Sequence, residues 1–324
     1  MSLKLWNLVA DIGGTNARFG LADYASSSLE WIRSYSVAEH SDFEQTISEF
    51  LKDVANGGEW ESRPKAACLA VAARADTECI QFTNSPWNIE RRHIAALLDA
   101  PIELINDFAA VGHGIADLKP QDWHQIGGGS PAPEKPIAVL GPGTGLGVCA
   151  MVPMGGGYHV IEGEGGHVDF APTTPQEAAV LNILNKKFGR VSLERLLSGA
   201  GIVNIYRALA QLADTHPVHD NPAAITESAL QGVESLSVKT LDMFCAVLGS
   251  TAGNLGLTLG ARGGVYIAGG IVPRFIDFLK NSNFRQRFAA KGRFKSYLAN
   301  IPVRVVTKEN LGLIGAMKKL RLSE

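Results

Sequence analysis

The chain has 324 residues, 46% of them hydrophobic and 19% charged, with a formal net charge of −2. That length buries a sizeable core and predicts two domains. The near-neutral balance excludes a polybasic nucleic-acid or membrane surface, and no apolar run is long enough to span a bilayer. The N-terminal residues lack a signal-peptide pattern, so a cytoplasmic location is expected. Cys68, Cys79, Cys149 and Cys245 have no CxxC spacing and read as reduced thiols, with neither a zinc site nor a disulfide framework.

The first predicted element is a hairpin over Leu8–Leu21. An apolar strand ending in Ala10-Asp11-Ile12 meets Gly13-Gly14-Thr15-Asn16, and a second apolar strand leaves. Glycine admits positive φ and close ligand approach, so the tip N–H groups and the Thr15 hydroxyl suit an anion. Asp11, at the strand end, is placed to face a metal ion accompanying phosphate. A third strand is expected near Leu29–Val37. Phe43, Ile47, Phe50 and Leu51 share one face of a helix over Asp42–Leu51. Ala66–Ala72 reads as a buried strand, Ile80–Asn84 as an alternating strand turned by Ser85-Pro86-Trp87, and Glu90–Leu98 as a helix.

A buried strand from Ile102 ends at Asn106-Asp107, where a helix begins. Two readings of that pair stay open. One is an N-cap, which spacing alone favours. The other is a catalytic carboxylate at the carboxyl end of a strand, where open α/β sheets place ligands. Gly127–Pro133 is a breaker-rich loop and a candidate domain crossing. Ile137–Val148 then repeats the strand–tip–strand pattern around Gly141-Pro142-Gly143-Thr144-Gly145. Two such hairpins about 130 residues apart suggest a duplicated unit that clamps a polyphosphate from both sides.

Gly155–Gly157 is a turn, and Tyr158–Ile161 leads into Glu162-Gly163-Glu164-Gly165-Gly166-His167-Val168-Asp169-Phe170. Acidic residues and a histidine among glycines pack no core, so this loop reads as a binding loop. His167-Val168-Asp169 has no further ligand at metal spacing. His216-Pro217-Val218-His219 reads as solvated surface. Helices are predicted over Gln176–Phe188, from Val191 with Ser192 as cap, over Ile202–Ala213, Ile225–Gln231 and Val238–Leu259. Gly199-Ala200-Gly201 is read as an interruption. The last of these helices carries Gly249, Ala252, Gly253 and Gly256, small residues that permit close packing. Gly263–Pro273 is a strand running into Gly269-Gly270, a turn suited to a base or ribose. The basic residues from Arg285 to Lys295 read as a solvated helical face. Ile301–Val306 is a last strand and Leu311–Leu320 a closing helix. Neither GxxxxGK[ST] nor GxGxxG occurs.

Three motifs in this order resemble those of the bacterial glucokinases outside the repressor/kinase (ROK) family, in the ATPase superfamily of hexokinase, actin and the heat-shock chaperones. Asp11–Asn16 is similar to the first phosphate motif, Gly141–Gly147 to the second and Ile267–Ile271 to the adenosine motif. Leu104–Phe108, Glu162–Phe170 and Val191–Gly199 resemble the group's sugar-site signatures. Phe82-Thr83-Asn84 with Trp87, and Ile271–Phe275, match as well. The resemblance covers almost the whole chain. One stretch departs: Ala70-Val71-Ala72-Ala73-Arg74 lacks a Gly/Cys-Pro pair common in the family, which puts the turn beside the sugar cleft in doubt.

The resemblance implies a two-domain, actin-like (ribonuclease H-like) α/β fold with an interdomain cleft that closes over glucose. Residues 1–115 plus about 307–324 would form the small domain and 116–306 the large one. It implies ATP-dependent phosphorylation of D-glucose to glucose 6-phosphate, the opening step of glycolysis. Asp107 becomes the general base, against the plain cap that spacing favours. Asn106, Asp107, Glu164, His167 and Glu194 would bind glucose. Ala10, Asp11, Ile12, Gly13, Gly14, Thr15, Gly143, Thr144, Gly145, Gly269 and Gly270 would bind ATP, with Asp11 orienting Mg²⁺ through water. A homodimer is implied, with no nucleic-acid or membrane partner. Alternatives are a kinase for another hexose and a non-kinase actin-like ATPase. A ROK-type transcription factor would need a leading DNA-binding domain and a cysteine cluster after the Glu164–His167 loop, and neither is expected here.

Overall fold

The computed structural model describes residues 3–26, 28–40, 42–73, 75–82 and 87–322. Arg74 of the departing turn, Thr83-Asn84 at the end of the predicted strand, and Ser85-Pro86 lie outside them. The chain divides into two compact units, Met1–Leu118 with Lys308–Glu324, and Lys119–Thr307.

In the first unit, β1 (Trp6–Ile12), β2 (Asn16–Asp23) and β3 (Leu29–Ser36) form an antiparallel meander. Ile12 pairs with Ala17, which leaves Gly13–Asn16 between them at the tip. Helix α1 (Phe43–Gly57) starts one residue later and runs further than predicted. Asp42 is its cap, the carboxylate accepting from the Gln45 N–H at 2.7 Å, and Val54 extends the buried face. Next, β4 (Ala67–Val71) lies parallel to β1. A separate ribbon pairs β5 (Cys79–Gln81) with β6 (Asn88–Glu90), so Glu90 ends a strand before α2 (Arg91–Leu98). Trp87 is buried against Phe43. Finally β7 (Ile102–Asn106) joins parallel to β4 and runs into α3 (Asp107–Ile115). The sheet order is β3-β2-β1-β4-β7.

The second unit opens with β8 (Trp123–Gly127), which the sequence reading does not anticipate. Only Ile126 of this edge strand is buried, so it carries little apolar signal. The hairpin β9 (Ile137–Pro142) and β10 (Leu146–Met154) continues into β11 (Gly157–Gly163). The helices α4 (Pro175–Phe188), α5 (Gly199–Leu212), α6 (Pro222–Gln231) and α7 (Ser235–Thr258) follow. Then come β12 (Gly264–Ile267), α8 (Ile276–Asn281), α9 (Phe284–Ala289), α10 (Lys295–Ala299) and β13 (Val303–Val306). The order β11-β10-β9-β12-β13 repeats β3-β2-β1-β4-β7 in both sequence and sense, with β8 added antiparallel at the edge. The duplication suggested by two hairpins therefore extends to five strands per unit.

The last helix, α11 (Leu311–Leu322), belongs to the first unit and packs with α3. Val9, Ala70, Ala110, Leu313, Ala316 and Leu320 fill the layer on that face of the sheet. The other face carries a larger core around Trp6, Phe19, Phe43 and Phe50. A sheet covered on both faces explains why β1 and β4 read as continuous apolar runs rather than alternating ones.

Four expectations are corrected in whole or in part. No helix starts after Ser192: that residue is buried without capping, and a single 3-10 turn, Leu193–Arg195, follows. Ser198 caps α5 instead, accepting from the Gly201 N–H at 3.0 Å, so Gly199-Ala200-Gly201 begins a helix rather than interrupting one. The basic stretch is a solvated face only in part: Arg293 and Lys295 are exposed, whereas Arg285 and Arg287 are partnered. Arg287 pairs with Glu177 at 2.6 Å, and Arg285 donates to the Ile301 and Ala299 carbonyls. Long basic side chains bury their stems and carry the charge to a partner, which sequence spacing does not reveal. His219 is half-buried, 3.6 Å from Glu234 and against the Tyr206 ring, whereas His216 is exposed. The glycines of α7 do pack closely, Gly249 and Gly253 meeting the Phe284 and Phe288 carbonyls of α9. The four cysteines are free, and no helix among the described residues is long and apolar enough to cross a membrane.

Gly315 on α11 faces the Ala110 carbonyl of α3 so closely that an added methyl group would collide with it. Alanine in a helix interior ordinarily gains about 1 kcal/mol over glycine. Overpacking a tight contact costs roughly 1–3 kcal/mol or more. Gly315→Ala is therefore expected to lower the urea midpoint, against the rise that propensity alone predicts. Glu177 tests the second unit. Burial pushes its carboxyl up, but the hydrogen bonds from Arg287 and Thr173 and the Arg287 charge outweigh this and hold it below the ordinary 4.5. A depressed folded pKa stabilises above the unfolded value, and that stability is lost as pH falls through the folded one. Denaturation titrations should show stability falling below about pH 4.5. Glu177→Gln should flatten that acid limb while costing about 3 kcal/mol at neutral pH.

Candidate active site

The first set of predicted site residues is positioned by strand register. β1, β4 and β7 run parallel, with Ile12 level with Val71 and Val71 level with Asn106. Asp11-Ile12 and Asn106-Asp107 therefore leave the sheet at the same carboxyl end, two strand spacings or about 10 Å apart. Asn106 is the cap of α3, its carboxamide oxygen accepting from the Phe108 and Ala109 N–H groups at 2.9 and 3.2 Å. That oxygen is committed, which leaves the amide hydrogens to donate outward. Asp107 is the first residue of the helix, and its Oδ1 accepts from the Phe108 N–H at 2.8 Å. The cap therefore falls to Asn106, and Asp107 follows it as the first helical residue.

The first tip is closed by backbone alone: Gly13 N–H donates to the Asn16 carbonyl at 3.0 Å, and the Thr15 carbonyl accepts from Val37 at 2.9 Å. The Thr15 side chain is exposed. Ala10 and Ile12 are fully buried and reach a ligand only through their backbone. The Asp11 carboxylate lies against the first turn of α11, where a Cβ on Gly312 would come within 2.9 Å of Oδ2. Sequence reasoning does not single out Gly312, because only the packing of α11 shows whom it makes room for. Burial pushes the Asp11 carboxyl above the ordinary 3.8, with the Arg18 charge partly opposing.

The second set gathers around the start of β10. At the tip, Gly143 N–H donates to the Gly145 carbonyl at 2.8 Å, and the Gly143 carbonyl accepts from Gly199 at the start of α5 at 2.9 Å. Glu194, expected on the sugar, accepts from the Leu146 N–H at 2.9 Å with Oε2. It therefore braces the second tip, with its other oxygen left for a further partner. The 3-10 turn Gly165–His167 sits beside it. Gly165 and Gly166 are pressed against Val148 and the Leu146 carbonyl, where a Cβ would collide. Two backbone bonds, Leu193 N–H to Val168 at 2.9 Å and Phe170 N–H to Val191 at 3.0 Å, strap the two 3-10 turns together. Glu164 and His167 stay exposed, with Oε2 and Nε2 3.9 Å apart. Gly269 has φ of +90 beneath the Pro142 carbonyl, and Ala268 N–H donates to Leu140 at 2.8 Å, so the third glycine turn abuts the same hairpin.

Each unit by itself thus brings its predicted residues together. Asp11–Thr15, Asn106 and Asp107 sit at one sheet end, and Gly143–Gly145, Glu164, His167, Glu194 and Gly269-Gly270 cluster at the other hairpin. Among the described residues, no three or more histidine, cysteine or acidic side chains are grouped to hold a metal. A single carboxylate beside an open glycine tip fits Mg²⁺, which keeps several waters and takes its remaining ligands from phosphate.

The sequence profile of the glucokinase family matches residues 8–323. The chain belongs to the glucokinase family. The glucokinase of Hahella chejuensis is 41% identical over 100% of this chain and 99% of its own length. The crystal structure of a glucokinase from an Antarctic psychrotroph superimposes with a TM-score of 0.83 at 36% identity, covering 98% of this chain and 99% of that one. A ROK family glucokinase from Streptomyces griseus, solved with glucose and AMPPNP, shares the fold at a TM-score of 0.67 and 17% identity, over 98% of this chain and 99% of its own. The mixed α/β architecture is that of this family and of the ROK sugar kinases.

Asp11 gives the site a measurable signature. A carboxyl raised on folding costs stability, and the cost grows as pH rises through the folded pKa. Asp11→Asn removes that charge, so it is expected to raise the thermal midpoint at neutral pH above that of the wild type. An unchanged or lower midpoint would count against a strained carboxylate.

Proposed function

We propose that this chain transfers the γ-phosphoryl group of ATP to the 6-hydroxyl of D-glucose, with Asp107 as the general base. The observation that carries the reading is the full-length match to the glucokinases, combined with a carboxylate held at the carboxyl end of β7 by the Asn106 cap. Phosphoryl transfer depends mainly on positioning and charge stabilisation, and the residues divide along those lines. Asp107 takes the proton of the 6-hydroxyl as its oxygen attacks in line. Asn106 donates through its amide, and Glu164, His167 and Glu194 pair with the other hydroxyls, which both donate and accept. A pocket that pairs each hydroxyl penalises a sugar lacking one, because buried groups are then left unpaired.

Thr15 and Thr144, with the N–H groups of Gly13, Gly14, Gly143 and Gly145, hold the phosphates. Gly269 and Gly270 line the adenosine side. Asp11 orients Mg²⁺ through water, and the ion when bound offsets phosphate charge. The two compact units serve as the small and large domains of an actin-like ATPase. Their shared strand order supports this reading. Family resemblance also supports a homodimer located in the cytoplasm.

The decisive experiment is ATP-dependent phosphorylation of glucose, mannose, fructose and N-acetylglucosamine by the wild type and by Asp107→Asn. Glucose turnover is expected, with kcat reduced roughly 10²–10⁴-fold in the variant and calorimetric glucose binding retained. Turnover of another sugar alone would change the substrate and keep the base. A variant as fast as the wild type would remove Asp107 from the chemistry.

A further inference from the structure

The turn that carries Glu164 and His167 has little internal support. It contains one backbone bond, His167 N–H to the Glu164 carbonyl at 3.0 Å, and no side-chain cap. On its entering side, Gly165 and Gly166 seat it against β10. On its leaving side, Val168 is half exposed and contributes no core packing, and its carbonyl is held by the Leu193 N–H at 2.9 Å. Arg190 reaches that side from the residue just ahead of the Val191–Gly199 stretch. Its Nη1 and Nη2 both donate to the His167 carbonyl, at 3.0 and 2.9 Å, and Nη1 also donates to Asp169 Oδ1 at 2.6 Å. Asp169 is itself bridged to Ser192 on the facing segment. A planar guanidinium can bracket one carbonyl and a neighbouring carboxylate together, whereas a lysine ammonium cannot hold that geometry.

Arg190 and Asp169 are both mostly exposed, and such pairs contribute little to global stability. What the fork does is local: it fixes the backbone from which the His167 ring projects. We propose that Arg190 is a positioning residue for sugar recognition, acting through the His167 carbonyl to hold the turn in its hydroxyl-pairing geometry. This rests on the glucose-phosphorylating reading given above.

The test compares steady-state kinetics of the wild type, Arg190→Gln, Arg190→Lys and Asp169→Asn, with His167→Ala alone and combined with Arg190→Gln. For Arg190→Gln, the KM for glucose should rise roughly three- to tenfold, with the KM for ATP and the thermal midpoint near wild type. Lysine should fail to rescue, and Asp169→Asn should give a smaller shift in the same direction. In the His167→Ala background, Arg190→Gln should add no further increase, because the residue it positions is gone. An unchanged KM for glucose, an equal rise in the KM for ATP, or fully additive effects with His167→Ala would overturn the positioning role. Lack of glucose turnover in the wild type would instead overturn the functional reading and this inference with it.

Discussion

The Asn106 carboxamide, accepting from two N–H groups at the start of α3, ends a strand and begins a helix within one residue. The geometry of the first unit's candidate site follows from that bond and from the register of the strands beside it. Because β7 must stop at Asn106, Asp107 becomes the first helical residue, with its backbone turned out of the sheet. Because β1, β4 and β7 are parallel and level, the Asp11 strand ends at the same height. A one-residue slip in either pairing would turn side chains to the opposite face of the sheet. Both faces of this sheet are packed, so such a slip would place polar groups in the core, and packing therefore holds the register.

The second unit solves a similar problem by bracing loops rather than by capping. Its hairpin tip is held from one side by the start of α5 and from another by the Glu194 carboxylate on the Leu146 N–H. Glycines at 165 and 166 let the acidic turn sit directly on the strand leaving that tip. A shift of the tip must therefore disturb the turn, and the reverse. Loops connected this way are better preorganised than loops that merely lie close together, since one set of bonds fixes several ligand-facing groups. The Glu164 carboxylate and the His167 ring are the exposed side chains of this turn.

Much of this was legible in the sequence because it rests on local chemistry. Both hairpins announce themselves through apolar runs broken by glycine and threonine, and the repeat between them shows as spacing. The fivefold strand correspondence did not, since parallel pairing joins residues far apart in the chain with no local mark. Ser192 illustrates the limit in the other direction. It has the right type and spacing for a helix cap, yet backbone pairing between 168–170 and 191–193 claims its segment, and the cap falls to Ser198. Arg285 and Arg287 look like solvent-facing charges until their partners, Ile301, Ala299 and Glu177, are folded against them.

By itself the sequence determined the chemical inventory: two glycine–threonine tips, an Asn-Asp pair at a strand end, a Glu-Gly-Gly-His turn and a glycine pair, in the order found in the glucokinases. These are local signals, because turn, cap and strand preferences act over a few residues. Only the tertiary structure decided what each side chain does with its polar atoms. It set Glu194 on the second tip, placed Asp11 against Gly312 and brought Arg190 onto the His167 carbonyl. These partners lie from about twenty to about three hundred residues away in the chain. Such contacts follow from how strands pair and helices pack, and no spacing rule along the sequence encodes them.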